Sequence, residues 1–576
     1  MARHFPLVTL VCAAAASAGF AQSIQLDPSS ITNAATYIQP NYPNGGVAHG
    51  GMFVVRAKAG SGAMGACGTT VANGFPIGTN MNGTSMKITM AGASYDVPMI
   101  YVVACGAVSQ LAGIVPSNVP VGTGTLTVSY GGQSGSAPIQ VVDRMPGLFT
   151  INQGGTGVAI IQNYNSATDL PINTLATPAK PGQYAIAWGT GLGPDGNSDT
   201  DAPKPTDLPI NLELYVGGKL ATLLYKGRSG CCAGTDQIDF QVPAGVDGCY
   251  VPVVVKIGTA VSNFTTMSVS ATGSACSDAA GFTAGDVQAA QHNNKIRLGI
   301  VSLDRADSEL VTAPGTGAVT RRDQATAAFA DLSYVALLGL PVREVSMPGS
   351  CTVWRGNTHD LLLDRPPILT PYVNLDAGTI TVNGATGSTP LTYGAGFYNR
   401  PLGASGYREP AGGPTQSPGI AFLDPGVVTI SAAGGGPVPG GKPIGAFSAS
   451  IPATAPPSFD NRFAVADVDR TQGVTVNWSG VDPAAIVAIR GISVPNGPAA
   501  AGVAFFCVEK AAVGQFTIPP SVLLSLPAAS TDARNPGEGS LGLSVGVTSV
   551  TRFTATGVDA GFLRFTSLFG RNVNFH

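Results

Sequence analysis

Residues Met86 to Val142 lie over Glu213 to Val269 without a gap, at a shift of 127 residues. Under that shift Ser109-Gln110 falls on Asp236-Gln237, Val115-Pro116 on Val242-Pro243 and Leu126-Thr-Val128 on Val253-Val-Val255. Gly131 falls on Gly258 and Cys105 on Cys232. Upstream, Gly50-Gly51-Met-Phe-Val-Val55 corresponds more loosely to Pro181-Gly182-Gln-Tyr-Ala-Ile186. A repeated unit of about 120 residues is an ordinary domain size. The first 278 residues therefore read as two copies of one module, 22–143 and 144–278, each of which must bury a core of its own.

Both copies alternate with period 2. Leu126, Val128 and Tyr130 alternate with Thr125, Thr127 and Ser129, and Leu212, Leu214 and Val216 with Asn211, Glu213 and Tyr215. Such runs, bounded by Gly and Pro, are half-buried strands. Glycine supplies 76 residues and proline 44, while only 11% are charged, well under the usual quarter or so. That balance opposes disorder and fits short strands joined by turns. The expected fold is all-β: tandem immunoglobulin-like β-sandwiches, then a further β-rich C-terminal region with a short helix. Trp188 shares a strand face with Tyr184 and Ile186, which predicts a core position.

Four strings in the second module belong together: Pro146-Gly-Leu-Phe149, Gly189-Thr-Gly-Leu-Gly-Pro194, Gly227-Arg-Ser-Gly-Cys-Cys-Ala-Gly234 and Asp236-Gln-Ile-Asp-Phe-Gln-Val-Pro243. In combination they resemble the uncharacterised C-terminal domain of exported acidobacterial proteins, the Solibacter-type family, which is similar to immunoglobulin-like IPT/TIG modules. The resemblance covers 144–278 directly and 24–143 through the repeat. It implies a fold and an exported location, and no catalytic residues.

The remainder, 279–576, differs. Asp323 to Leu340 is Ala-rich and predicts a helix, with Asp323 as N-cap and Pro341 as its stop. Thr379-Ile-Thr-Val382, Val427-Val-Thr-Ile430, Val474 to Trp478 and Leu541 to Val547 read as strands, with a candidate boundary near 460.

The N-terminus reads as a secretory signal: Arg3 and His4, an apolar run from Leu7 to Ala16, then small residues with a cut after Ala21. Ten residues cannot span a bilayer, which takes about 20. The mature chain is expected to be secreted or at the cell surface, with no membrane span. Eight cysteines then remain, and export makes disulfides the default over zinc, whose CxxC spacing is absent. Cys67 is expected to pair with Cys105 and Cys351 with Cys507. Adjacent Cys231 and Cys232 are expected to go separately to Cys249 and Cys276, in either order.

Candidate chemistry is sparse. Gly189-Thr-Gly-Leu-Gly193 precedes Pro194 rather than a helix and reads as a turn, not a phosphate loop. Asp195, Asn197, Asp199 and Asp201 alternate oxygen side chains as calcium loops do, although Thr200 and Thr206 stand where a Gly and a Glu are expected. No other cofactor is implied. The pair His359-Asp360 is a candidate acid–base site. Nucleophile-elbow and His-Glu-x-x-His motifs are absent. A net charge of −3 without a basic cluster excludes nucleic acid. Asn82, Asn263 and Asn477 open glycosylation sequons. The expected function is non-enzymatic adhesion to an extracellular glycan or matrix protein. The alternative is a hydrolase or carbohydrate-active protein with its site in 287–576.

Overall fold

The computed structural model describes residues 23–104, 109–272, 274–278, 281–311, 317–340, 347–357, 373–394, 397–405, 422–435, 443–494, 501–529 and 542–576. The leader, Cys105 and the His359-Asp360 pair lie outside the described residues.

In the first sandwich, Thr84–Met90 turns Met86, Ile88 and Met90 inward and Lys87 outward. It pairs antiparallel with Gly122–Tyr130, setting Ile88 opposite Leu126 and Met86 opposite Val128. Gly131 and Gly132 adopt positive φ (+58° and +77°) and close the hairpin into Gln133–Val142. Two such residues make the tight turn whose twist matches that of the flanking strands. Val47–Ala48 pairs parallel with the end of Gln133–Val142. The facing sheet runs Thr32–Asn33, Met52–Arg56, Gln110–Ile114, Met99–Ala104, Gly68–Val71. Phe53, Val55, Met86, Leu111 and Val128 fill the space between the sheets.

The second sandwich repeats this plan. Its first sheet orders Gly147–Leu148, Tyr184–Thr190, Asp236–Gln241, Thr222–Arg228 and Thr206–Asp207, and its second is built on Leu212–Val216, Gly248–Ile257 and Thr265–Val269. Asp236–Gln241 holds the place of Gln110–Ile114, and Leu212–Val216 that of Thr84–Met90. Parallel bridges again tie an early segment to the last strand, at Val158 with Thr266 and Ala179 with Val269. Two mainly antiparallel sheets packed face to face in this order are immunoglobulin-like sandwiches.

Trp188 corrects the core expectation. Ala185 and Ala187 are the inward residues of Tyr184–Thr190. They stand opposite Phe240 and Ile238, whose bulk already fills the layer. Strand alternation therefore turns Tyr184, Ile186 and Trp188 to the outer face.

The C-terminal region opens with a helix, Ala284–Asn293, held by a capping box between Thr283 and Asp286. Its centre is a ten-stranded sheet ordered Ser350–Asn357, Ala501–Lys510, Ile486–Ser493, Leu543–Ala555, Val558–Arg571, Lys295–Val311, Gly317–Ser333, Phe397–Ser405 and Tyr393–Gly394, with Val373–Asn374 also on Gly317–Ser333. The expected helix from Asp323 is thus a strand. Gly317–Ser333 pairs along its length with Lys295–Val311, and only Tyr334–Leu338, capped by Ser333, is helical. Pairing on both edges, with Ala325, Ala327 and Phe329 all packed into one core, overrides the helix propensity of alanine. Lys295–Val311 runs parallel to Val558–Arg571, so residues on both sides of 460 share one sheet. Cys351 and Cys507 sit opposite each other in register and are bridged. Among the described residues, no helix is long and apolar enough to cross a membrane.

Asp323 has a different role from capping. Its carboxylate receives the buried Arg305 guanidinium in a two-pronged pair at 2.9 and 2.8 Å. The same group accepts the Phe422 and Leu423 N–H groups at 2.6 Å each, and Arg305 also reaches Asp424 at 2.9 Å. One carboxylate thus pins the chain at 422–424 to the sheet. Removing one partner of a buried pair leaves the other charge uncompensated, at about 3–5 kcal/mol. Asp323→Ala is expected to lower the unfolding free energy of the C-terminal region, read from urea melts, by about that much, and an unchanged urea midpoint would contradict the clamp.

Candidate functional site at the junction of the two sandwiches

The polar side chains singled out in the sequence gather where the second sandwich meets the first. Gly191 takes φ +95°, and a Cβ there would collide with the Met145 carbonyl oxygen. The glycine-rich turn is therefore a close backbone crossing. Thr190 Oγ accepts the Met52 N–H at 2.8 Å and donates to the Gly234 carbonyl at 2.6 Å. Asn33 Nδ2 donates to Met145 O at 2.9 Å. On the far side of the junction, Asn263 Nδ2 donates to Leu148 O and Gly155 O, both at 2.9 Å, and Oδ1 accepts Leu148 N–H at 2.9 Å. A weaker contact reaches Ala35 O of the first sandwich at 3.5 Å. The Asn263 sequon is consequently closed to glycosylation, because the amide is buried and engaged.

The four candidate calcium residues line one small pocket of about 20 Å³, together with Gly50, Ile114 and Arg228. That is room for about one water. Asp199 reaches across the junction, accepting Ser117 N–H and Ser117 Oγ–H at 2.7 Å each. Asp195 accepts the Asn197 N–H at 3.0 Å and lies 3.6 Å from Arg228 Nε. Asn197 bonds Asp195 and Thr206, and Asp201 is exposed. Among the described residues, no group of three or more His, Cys, Asp or Glu is placed to hold a metal.

Arg228 and Asp236 form the buried centre, and the sequence reading missed their role. Their charges meet at 2.9 Å, out of line for a hydrogen bond. Arg228 Nη2 donates to Gly193 O at 3.1 Å, and Asp236 accepts Leu192 N–H at 2.8 Å. Burial pushes the Asp236 pKa up to about 6, against the opposing pull of Arg228 and the Leu192 N–H. The signal was present: both residues stand inside the strings that carry the family resemblance.

The disulfides correct one expectation. Cys231 and Cys232 bridge each other, and Cys249 bridges Cys276. Cys231 and Cys232 sit in an exposed turn beside the junction. From there Asp236–Gln241 carries the chain about 20 Å away before Cys249 begins the next long strand. Bridged Cα atoms must lie within about 7 Å, so neither turn cysteine reaches Cys249. The Cys249–Cys276 bridge is buried with Phe282, Leu337 and Phe562, between the second sandwich and the C-terminal region. Cys67 is disulfide-bonded, and its expected partner Cys105 lies outside the described residues.

A second cleft, about 220 Å³, lies between the second sandwich and the C-terminal region, lined by Tyr215, Val254, Phe264, Cys351, Phe516 and Val522. It is smaller than the roughly 300–1,000 Å³ of most small-molecule sites.

No protein-family model and no curated protein sequence matches the chain. Several solved structures are similar in outline. A tandem pair of titin immunoglobulin domains is 9% identical, covering 43% of this chain and 97% of its own, with a TM-score of 0.12. Domains 5–6 of the S-layer protein SbsC are 11% identical, covering 43% and 98%, with a TM-score of 0.15. Invasin, a bacterial integrin-binding protein, is 11% identical, covering 91% and 77%, with a TM-score of 0.12. TM-scores this low leave the description of the fold to the sheets themselves.

Non-reducing peptide mapping is expected to find Cys231 and Cys232 joined within one peptide and Cys249 linked to Cys276; a Cys231–Cys249 link would refute this pairing. Asp236 also makes a pH prediction. Its folded pKa lies above the unfolded value, so its contribution to stability is full below about pH 4 and is lost as pH rises through about 6. The stability of wild type relative to Asp236→Asn, whose amide does not titrate, should fall across that window.

Proposed function

We propose that this chain is an exported, non-enzymatic protein of the Solibacter type that acts at the cell surface or in the matrix by binding an extracellular ligand. The observation that carries the reading is the use made of its scarce charged groups. At the junction Arg228, Asp195, Asp199 and Asp236 hold loops and sandwiches together, and in the C-terminal sheet Arg305 and Asp323 clamp a loop. Such side chains are partnered structural groups, not acids and bases facing a substrate cleft. Three disulfides with both cysteines among the described residues, and a further bridged cysteine at Cys67, suit an oxidising compartment. Fastened sandwiches give a stiff carrier on which loops and sheet faces are displayed, and binding surfaces are commonly built on such scaffolds. Calcium, the ion that the oxygens of Asp195, Asn197, Asp199 and Asp201 would take, enters as a variable of the test.

The mature protein is applied to glycan and matrix-protein arrays with and without calcium, and in parallel to a panel of polysaccharide and ester substrates. The expected result is saturable retention on at least one surface without turnover. Product release that scales with protein concentration would replace this reading with the hydrolase alternative in 287–576.

A further inference from the structure

The outer face of the second sandwich differs from its counterpart in the first. In the first, Met52, Val54 and Arg56 stand opposite Ile114, Ala112 and Gln110. Val54 and Ala112 are buried there with Ala34, and Tyr37, Tyr101 and Phe149 pack over them. The corresponding register in the second sets Tyr184, Ile186 and Trp188 opposite Gln241, Asp239 and Gln237. This face is open. Tyr184 is 47% exposed and Tyr164, bonded to it through the backbone, 40%. One scaffold thus occurs twice in the chain, once with this face covered and once with it lined by rings and amides.

The side chains on the open face are held in place. Trp188 Nε1 donates to Gln162 Oε1 at 2.8 Å, fixing the indole. Gln237 Nε2 donates to Asp239 at 2.8 Å and Gln241 Nε2 to Gly182 O at 2.9 Å. Each of these amides keeps its carbonyl oxygen unengaged among the described residues. Tyr184 and Trp188 are four residues apart on one strand, about 13 Å.

The charge pattern selects the occupant. The two strands that build the face, Tyr184–Thr190 and Asp236–Gln241, carry no Lys or Arg; beside them Lys226 is engaged by Asp207 at 3.4 Å, Arg228 is buried at the junction, and Lys180 stands at the rim. The face itself therefore lacks the cations that an anionic polymer would need. Asp239 is its one carboxylate, and burial raises that pKa. Planar rings with fixed amide acceptors match a partner that is apolar on its C–H faces and rich in neutral hydroxyl donors.

We propose that this face of the second sandwich binds neutral polysaccharide, with Tyr184 and Trp188 stacking on sugar rings and Gln237 and Gln241 accepting hydroxyl protons. The inference rests on the ligand-binding function proposed above and names its site and ligand class.

The test is affinity electrophoresis of the mature, full-length protein in gels containing β-glucan, xylan, galactomannan or starch, with alginate and immobilised collagen as contrasting partners. Wild type is expected to be retarded by at least one neutral polysaccharide. Tyr184→Ala and Trp188→Ala should each weaken that retardation about tenfold or more. Val71→Ala, on an exposed strand of the first sandwich, should not. Tyr184→Ala guards against the chance that loss of the tethered indole disturbs the fold, and melting curves are read for every variant. Retardation that survives in both face variants overturns the site and leaves the ligand-binding function standing. Retention by alginate or collagen alone overturns the ligand class in the same way. No retention by any partner overturns both.

Discussion

The junction of the two sandwiches is held by short bonds between side chains of one module and backbone of the other: Asn33 Nδ2 donates to Met145 O, and Thr190 Oγ accepts the Met52 N–H. Docking two sandwiches edge to edge buries peptide groups that neither sheet can pair. Each would cost about as much as a lost hydrogen bond if left alone. Asn33 and Thr190 supply the missing partners across the junction, Asn263 pairs the Leu148 and Gly155 backbone beside it, and the glycine at 191 lets the backbones approach closely enough for those short bonds. The rest of the front half depends on this satisfaction of buried polar groups. Without it the modules would be beads on a string, and the loop carrying Asp195 to Asp201 would have no surface to close against.

Much of this was legible in the sequence, and the parts that were not share a cause. The 127-residue shift and the period-2 runs pointed to two like sandwiches, because alternation along a strand is a local property. Leu126 and Val128 point inward as their neighbours dictate. Trp188 shows the limit of that argument. Alternation says which residues share a face; only the partner strand, with Phe240 and Ile238, says which face is the core. Asp323 to Leu340 failed for a related reason. Alanine favours a helix in isolation, but pairing with Lys295–Val311 and Phe397–Ser405 is non-local and cannot be read from the segment itself. The capping box at Thr283 was readable and was passed over.

The junction was legible as a place but not as a mechanism. Four oxygen side chains at alternate positions were recognised, and the structure brings them to one pocket. Their partners, Ser117 and Arg228, are 82 and 33 residues from Asp199 and Asp195. Charge in a chain this poor in ionisable groups is conspicuous, yet a conspicuous carboxylate is as well explained by a distant serine as by an ion. The cysteines teach the same lesson, since adjacency in sequence argued against a Cys231–Cys232 bridge while the strand that separates them from Cys249 settled the pairing.

The parallel pairing of Lys295–Val311 with Val558–Arg571 has a consequence for the order in which the protein can be made. A chain made from its N-terminus delivers the two sandwiches first, and each has nearly all of its strands within about 120 residues. The central sheet behind them cannot close until more than 250 further residues have emerged, because the neighbour of its first strand comes near the end. Until then Lys295–Val311 has one edge uncovered, the kind of template that recruits other chains. Synthesis of this protein is thus a race between chain completion and self-association, and the sandwiches that finish early provide the folded platform on which the last strand must land.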